Sequence, residues 1–148
     1  MTQHRPRRPA RTVIAALLIA AVAMLAACSN PQPPINRTPR SGATTAAATE
    51  GVQQVRIVVD DRYRFYPSTV TVHPGRVEIT LVHRGTGAPH TFQVVGFPSD
   101  YVPLVRPGQT SSATFDAPAP GRYTFVCTIH QAQGQIGTLI VLPSAAAS

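Results

Sequence analysis

Apolar and polar residues alternate along most of the chain between residues 51 and 143. The alternation is clearest over 55–59, 77–81 and 123–125, where an aliphatic or aromatic residue stands at every second position. Successive side chains of a strand point to opposite faces, so this period is typical of strands with one buried face. No window carries the 3.6-residue stripe of an amphipathic helix. The pattern therefore predicts an all-β fold.

Turn signals divide this region into short strands. The alternation is interrupted at Pro74-Gly75, Gly85-Thr86-Gly87, Pro107-Gly108 and Pro120-Gly121. Glycine and proline at such points favour tight turns, and they leave about seven short strands. The length of 51–143 suffices for one small domain with a single core. We therefore expect a Greek-key antiparallel β-sandwich.

The first 28 residues have a different character. Four arginines within 5–11 precede an apolar run over 13–27, which is shorter than the roughly 20 residues of a membrane span. This order is typical of a secretory signal peptide. The run ends in Leu25-Ala26-Ala27-Cys28, which resembles the lipobox of bacterial lipoproteins. The resemblance implies a lipid-anchored protein of the cell envelope, outside the cytoplasm, with Cys28 lipidated. The alternatives are an uncleaved anchor and an ordinary signal with a chance cysteine.

Residues 29–50 contain four prolines, many small residues and a single large apolar side chain, Ile35. Such a stretch buries too little apolar surface to offset its ordering entropy. We therefore predict a disordered tether over 29–50, a folded domain over 51–143 and a small-residue tail over 144–148.

Charge and cysteine content narrow the range of possible functions. The formal charge of +7 falls to +3 without the first 28 residues, because nine arginines then stand against six acids. These arginines form no basic stripe, so nucleic-acid binding has little support. The remaining chain has no methionine, and Cys127 is its only thiol apart from Cys28. A lone thiol in an oxidising compartment is a hazard unless a metal occupies it.

Potential metal ligands cluster near Cys127. His130 and Gln135 follow within nine residues, and His90 lies upstream after Ala88-Pro89. A thiolate suits Cu(I), imidazoles suit both oxidation states of copper, and a weak fourth ligand tunes the potential. The pattern therefore indicates a mononuclear copper site. The alternatives are a buried structural thiol with ordinary histidines, or Zn²⁺ bound by the same groups.

The segment Tyr123-x-Phe125-x-Cys127-x2-His130-x4, together with Pro89-His90-Thr91-Phe92, resembles the ligand motifs of the cupredoxin family. The likeness covers essentially all of 51–143. It implies one type 1 copper ion with His90, Cys127 and His130 as equatorial ligands. Gln135 stands where most members have an axial methionine, and glutamine serves this role in the stellacyanin-like branch. In the alternative, Gln135 faces solvent and the site has three ligands.

The backbone N–H of Thr91 is a candidate donor to the Cys127 sulfur, because outer contacts of this kind tune a metal. His73 and His83 stand outside the ligand positions, so structural or solvent roles are expected for both.

These features predict a monomeric, non-enzymatic one-electron carrier that exchanges electrons with redox partner proteins. The electrons would pass through an exposed edge of His130. The partner would dock on an apolar rim of Pro89, Phe97, Pro98 and Ala132. The alternative function is copper sequestration or delivery to another envelope protein. A multicopper oxidase is disfavoured because its His-Cys-His pattern is absent, and a binuclear copper site would need a second cysteine in the loop.

Overall fold

The computed structural model describes residues 41–144. The expected signal peptide over 1–28, with Cys28, and residues 29–40 of the expected tether lie outside the described residues. Every described residue belongs to one compact unit, Pro34–Ser148. Within 41–144, no helix has the length and apolar character that a membrane span requires.

The described part of the chain is built from strands, which confirms the all-β prediction. In chain order they are β1 (Ala43–Thr45), β2 (Ala47–Thr49), β3 (Val52–Val59), β4 (Phe65–Tyr66), β5 (Thr69–Val72), β6 (Arg76–His83), β7 (His90–Val94), β8 (Phe97–Val105), β9 (Thr110–Asp116), β10 (Gly121–Val126) and β11 (Ile136–Val141). The prediction of about seven strands missed β1, β2, β4 and β8. Pro98 and Pro103 interrupt the strand-like sequence pattern of β8. They are tolerated because β8 is an edge strand.

The strands form two sheets. One has the order β1-β5-β11-β10-β7-β8, and the other has the order β2-β3-β6-β9 with β4 also paired to β3. The sheets are mixed rather than antiparallel, because β3 pairs with β6, and β5 pairs with β1 and β11, in parallel. The chain leaves β3, joins the other sheet at β5 and returns at β6, and such a crossover makes β3 and β6 parallel. Turn signals reveal where strands end but do not reveal this crossover.

The folded domain begins before residue 51, which corrects the expected tether. Strand β1 pairs in parallel with β5, and β2 pairs antiparallel with β3. Between them, Ala46 packs against the core and its N–H donates to the Thr71 carbonyl at 2.9 Å. Alanine and threonine bury little apolar area, but their backbone groups complete the ladders at two sheet edges. The composition of this segment therefore gave a wrong prediction of disorder, because backbone hydrogen bonds rather than buried side chains hold it.

Three aromatic rings fill the core beneath the ligand-bearing strands. Phe65, Phe92 and Phe125 are fully buried, and the Phe125 centroid lies 5.0 Å from that of Phe65 and 4.7 Å from that of Phe92. Phe92 belongs to β7 and Phe125 to β10, so the cluster fixes these strands against each other. Gly137 on β11 leaves room for the Phe125 ring, which a Cβ at this position would overlap.

Three loops meet at one end of the sandwich. Val59 of β3 pairs with His83 of β6, and His90 of β7 pairs with Val105 of β8. Strands β3, β6 and β8 therefore end where β7 begins, and we call this the His90 end. The loops 60–64, 84–89 and 127–135 all lie there.

Candidate metal centre

His90, Cys127 and His130 come together at the His90 end. Their potential ligand atoms lie within 4.8 Å of one another, and all three residues are buried. His90 opens β7, Cys127 directly follows β10, and His130 lies in the next loop. The predicted grouping of these three side chains is therefore present, with 37 residues separating the first from the second.

Backbone hydrogen bonds make the loop from Cys127 to Gln135 compact. The Cys127 N–H donates to the Gln135 carbonyl at 3.1 Å, and the His130 N–H donates to the Cys127 carbonyl at 3.2 Å. The Gln135 N–H in turn donates to the His130 carbonyl at 3.1 Å. Gly134, with a φ of 83°, provides the left-handed residue that closes the loop. The loop thereby brings His130 and Gln135 beside the sulfur.

Gln135 points into the cluster. Its side chain is fully buried, and its Oε1 accepts a hydrogen bond from His90 Nδ1 at 2.8 Å. The alternative in which Gln135 faces solvent is therefore wrong. Within 41–144, neither Gln135 Nε2 nor His90 Nε2 has a hydrogen-bond partner, although both atoms are buried. Unsatisfied buried polar atoms are costly, and they are a common mark of a ligand site.

The Cys127 sulfur receives polar contacts from Thr91. The Thr91 N–H donates to Sγ at 3.4 Å, as the sequence predicted, and the Thr91 hydroxyl lies 3.7 Å from the same atom. The hydroxyl oxygen also accepts a hydrogen bond from the Thr128 N–H at 2.9 Å. Donors aimed at a sulfur stabilise its thiolate form, which is the form that binds metal.

Burial keeps the two imidazoles neutral. It lowers the pKa of His90 from 6.5 to about 4, against the opposing effect of the hydrogen bond with Gln135. Burial also lowers the pKa of His130, again opposed by Gln135. Neutral imidazole is the form that binds a metal, so both rings are ready to bind at neutral pH without losing a proton.

The other two histidines of the described region have structural surroundings, as predicted. The Gly85 N–H donates to His83 Nδ1 at 2.9 Å, so the ring proton lies on Nε2 and donates to the Ala88 carbonyl at 2.9 Å. His83 thus shapes the loop that leads to His90. His73 is exposed at a turn, where its backbone N–H and carbonyl both bond the Gln53 side chain.

Two further residues, which no sequence motif marks, contact the ligand loop. The ring of Tyr63 lies over that of His130, with centroids 4.5 Å apart. Arg64 Nη1 donates to the Gly134 carbonyl and to the Tyr63 carbonyl, at 2.9 Å in each case. The spacing of about 70 residues gives no sequence signal for these contacts. His130 is only 6% exposed, so no more than a small edge of the residue reaches the surface.

The expected apolar rim is not continuous. Phe97 pairs with Val94 at the far end of the β7–β8 hairpin, whereas His90 pairs with Val105. Phe97 there contacts Tyr123, with ring centroids 5.4 Å apart. Phe97 and Pro98 therefore lie away from the His90 end, because the hairpin reverses between them and His90. The large exposed apolar residue beside the ligands is Ile129, at 46% exposure.

Asp61 joins two loops of the His90 end. Its carboxylate accepts hydrogen bonds from the backbone N–H groups of Thr86 and Gly87, at 3.0 and 2.9 Å. These bonds lower the pKa of Asp61 below its usual value. A Cβ at Gly85 would collide with this carboxylate, so glycine is required for the close approach. The loop that carries Tyr63 is thereby attached to the loop that leads to His90.

The residues present fit a single soft or borderline metal ion. A thiol with donors aimed at it, two neutral imidazoles and one amide oxygen converge in a buried site. This set combines sulfur and nitrogen donors with a harder oxygen, as mononuclear copper sites do, and it also suits Zn²⁺.

A family profile described as cupredoxin-like domain matches residues 17–141 of the chain. Among solved structures, the reduced auracyanin of Roseiflexus castenholzii is 21% identical, with a TM-score of 0.56 over 61% of this chain and 97% of that one. Auracyanin A of Chloroflexus aurantiacus, described as a "blue" copper protein, is also 21% identical, with a TM-score of 0.55 over 62% and 99% of the two chains.

A third similar structure is the metal-binding domain of the Cu(I)-exporting P-type ATPase CopA from Streptococcus pneumoniae D39, solved with Cu(I). It is 18% identical, with a TM-score of 0.55 over 69% of this chain and 97% of that domain. At such identities these likenesses establish the fold of the sandwich.

Proposed function

The chain belongs to the cupredoxin-like family, and on that basis we propose that it carries single electrons through one bound copper ion. Its ligands would be His90, Cys127 and His130, with the Gln135 amide oxygen in the axial position. The observation that supports this most is the convergence of the three ligand groups in a buried site. The family match and the blue copper description of a structural neighbour support copper as the ion.

Copper would supply a centre that alternates between Cu(II) and Cu(I). The protein supplies a site that needs little rearrangement between the two states. His90 and Cys127 stand on strands fixed by the aromatic core, and His130 and Gln135 stand on a loop closed by backbone hydrogen bonds. Ligands held in this way move little when the charge of the ion changes, which favours fast electron exchange.

Gln135 would lower the reduction potential of the bound copper. An amide oxygen is a harder donor than the thioether of methionine, so it favours Cu(II) over Cu(I). Thr91 acts in the opposite sense, because its N–H withdraws electron density from the sulfur. We infer a potential below that of a methionine-ligated relative.

Copper sequestration or delivery is the second candidate function. The structurally similar metal-binding domain of CopA was solved with Cu(I), so a domain of this fold also occurs in a copper exporter. The burial of all three ligand groups in this chain favours a carrier, because a delivery protein has to present its ion to an acceptor.

The location of the protein is part of the proposal. A lipid on Cys28 would anchor the chain to a membrane of the cell envelope, as the lipobox-like Leu25-Ala26-Ala27-Cys28 suggests. The domain would act there as a monomer that meets its redox partner proteins at the His90 end. Mass spectrometry of the protein isolated from membranes tests this, and an unmodified Cys28 would contradict it.

The test of the function is visible absorption and electron paramagnetic resonance of the full chain loaded with Cu(II). An intense thiolate-to-copper band that ascorbate bleaches and an oxidant restores is expected. A colourless copper-loaded protein would contradict the electron-carrier proposal. Rapid transfer of the copper to an acceptor protein, without redox cycling, would support delivery instead.

A further inference from the structure

We propose that Tyr63 is a cover over the metal ligand His130, and that Asp61 and Arg64 hold this cover closed. The proposal deepens the proposed function, because it assigns to the loop 60–64 control over how the ion and small reagents reach the site. The cover itself is a property of the protein without metal and can be tested there.

The first observation is the position of the Tyr63 ring. It lies 4.5 Å from the His130 ring and 6.1 Å from the His90 ring, measured between centroids. Tyr63 is thus in contact with both imidazoles of the cluster. With the ring in place, His130 is 6% exposed and Cys127 is fully buried. A reagent that approaches from this side meets the tyrosine first.

The second observation is the backbone at Tyr63. Its φ is 54°, in the left-handed region that non-glycine residues rarely adopt. A tyrosine persists in such a conformation only where the surrounding structure determines it. The Tyr63 N–H donates to the Asp60 carbonyl at 3.1 Å in the turn between β3 and β4, so this turn and the ring contacts together fix the conformation.

The third observation is a pair of attachments that flank Tyr63. On one side, Asp61 accepts two backbone hydrogen bonds from the loop before His90. On the other side, Arg64 bonds the Gly134 carbonyl, directly before Gln135. The loop 60–64 is therefore attached both to the loop before His90 and to the loop that carries His130 and Gln135. Tyr63 lies between these two attachments.

These attachments imply that the site opens by movement of the loop 60–64. Cys127 otherwise belongs to the core, and the loop that carries His130 is held by backbone hydrogen bonds between Cys127, His130 and Gln135. The loop 60–64 is held at this end by a small number of polar contacts and by the two ring contacts of Tyr63, so fewer contacts have to break when it moves. Metal entry, metal loss and attack on the Cys127 thiol should then share one limiting step.

The experiment compares Tyr63→Ala with Tyr63→Phe in the full chain. In the metal-free protein we measure the rate at which iodoacetamide alkylates Cys127. In the copper-loaded protein we measure the rate at which a chelator removes the ion. Losing the ring contact should raise both rates roughly two- to tenfold in Tyr63→Ala. Tyr63→Phe keeps the ring and should match the wild type.

Tyr123→Ala is the matched control. Tyr123 likewise makes an aromatic contact, with Phe97, but at the opposite end of the sandwich. It should lower stability without raising either rate. Equal acceleration by Tyr123→Ala and Tyr63→Ala would overturn the proposal, because general loosening would then explain the effect. Unchanged rates in Tyr63→Ala would also overturn it.

Gly85→Ala tests the attachment through Asp61. It also replaces Tyr63→Ala in the experiment if that variant does not fold. The added methyl group displaces the Asp61 carboxylate, so both rates should rise while the thiolate-to-copper band persists. Unchanged rates would show that Asp61 does not hold the cover. The alkylation rates decide these points even if the wild-type protein shows no blue copper band, an outcome that would contradict only the proposed function.

Discussion

The side-chain oxygen of Gln135 lies 2.8 Å from Nδ1 of His90, although 45 residues separate the two in the chain. Both side chains are fully buried. An amide oxygen only accepts hydrogen bonds, so the Nδ1 proton is directed at Oε1. For His90 to bind a metal ion through Nδ1, the ring proton would have to move to Nε2, which has no hydrogen-bond partner among the described residues, and Oε1 would then be free of its hydrogen bond. The pair therefore places the Gln135 oxygen directly beside a candidate metal ligand.

Replacing Gln135 by methionine should raise the reduction potential of the copper-loaded protein. A thioether stabilises Cu(I) more than an amide oxygen does. A tenfold change in the relative affinity for the two oxidation states corresponds to about 59 mV, and we expect a rise of at least this size. Redox titration followed by visible absorption measures it. Gln131→Met, at an exposed position of the same loop, should leave the potential unchanged. An unchanged potential in Gln135→Met would remove this residue from the ligand set.

Thr91→Val should destabilise the ligand loop. The variant keeps the shape and the backbone N–H that donates to Cys127, but it removes the oxygen that accepts from the Thr128 N–H. Loss of the hydroxyl's hydrogen bonds with Thr128 and of its contact with the Cys127 sulfur should lower the free energy of unfolding by roughly 1–2 kcal/mol. Urea denaturation of the metal-free protein measures this. Thr124→Val, at an exposed position of β10, is the control and should have little effect. Equal stability of the two variants would contradict a structural role for the Thr91 hydroxyl.

The metal-free protein should lose stability as the pH falls from about 7 to about 5. The pKa of His90 is lowered from 6.5 to about 4 in the folded state, so the unfolded chain binds a proton first. Protonation therefore favours the unfolded state below about pH 6.5, and the loss should level off near the folded pKa. For His90 alone the loss is about 2 kcal/mol over this interval. The lowered pKa of His130 adds to it with the same sign.

Urea denaturation at several pH values tests this dependence. His90→Gln should flatten the pH profile of the unfolding free energy, because the residue that titrates is removed. His73→Gln, at an exposed turn outside the site, is the matched control. A profile that is as steep in His90→Gln as in the wild type would show that other groups cause the loss.

Gly137→Ala should destabilise the core beneath the site. The added Cβ would overlap the Phe125 ring and approach the Ser68 carbonyl oxygen at 2.8 Å. Overpacking of this kind typically lowers the free energy of unfolding by about 1–3 kcal/mol. Thermal unfolding of the metal-free protein measures it. Gly121→Ala is the control, because its Cβ would meet only the Tyr123 ring at 3.4 Å, and its effect should be smaller. The reverse order would mean that the Phe125 ring moves aside without penalty.

The alternation of apolar residues was enough to predict an all-β sandwich and most of its strands. It was not enough for β8, where prolines break the pattern, or for β1 and β2, which lack large apolar side chains. These strands are formed by backbone pairing at sheet edges. Their existence depends on which neighbour is available, and composition does not encode this.

The residues of the site also differ in whether a local sequence motif identifies them. His130 and Gln135 follow Cys127 at spacings that a short loop can close, so a local motif identifies them. His90 was found through a second local motif, and the sandwich then brings it to Gln135. Tyr63 carries no such signal, because nothing in its own segment relates it to His130.

The sequence alone determined the class of fold and the candidate ligands, because a side-chain period of two and a loop spacing are local properties of the chain. Tertiary structure alone decided the parallel pairing of β3 and β6 and the contact of Tyr63 with His130. It also decided the separation of Phe97 from the ligands. These features depend on the order in which strands join two sheets, and that order is settled by long-range packing rather than by any single segment.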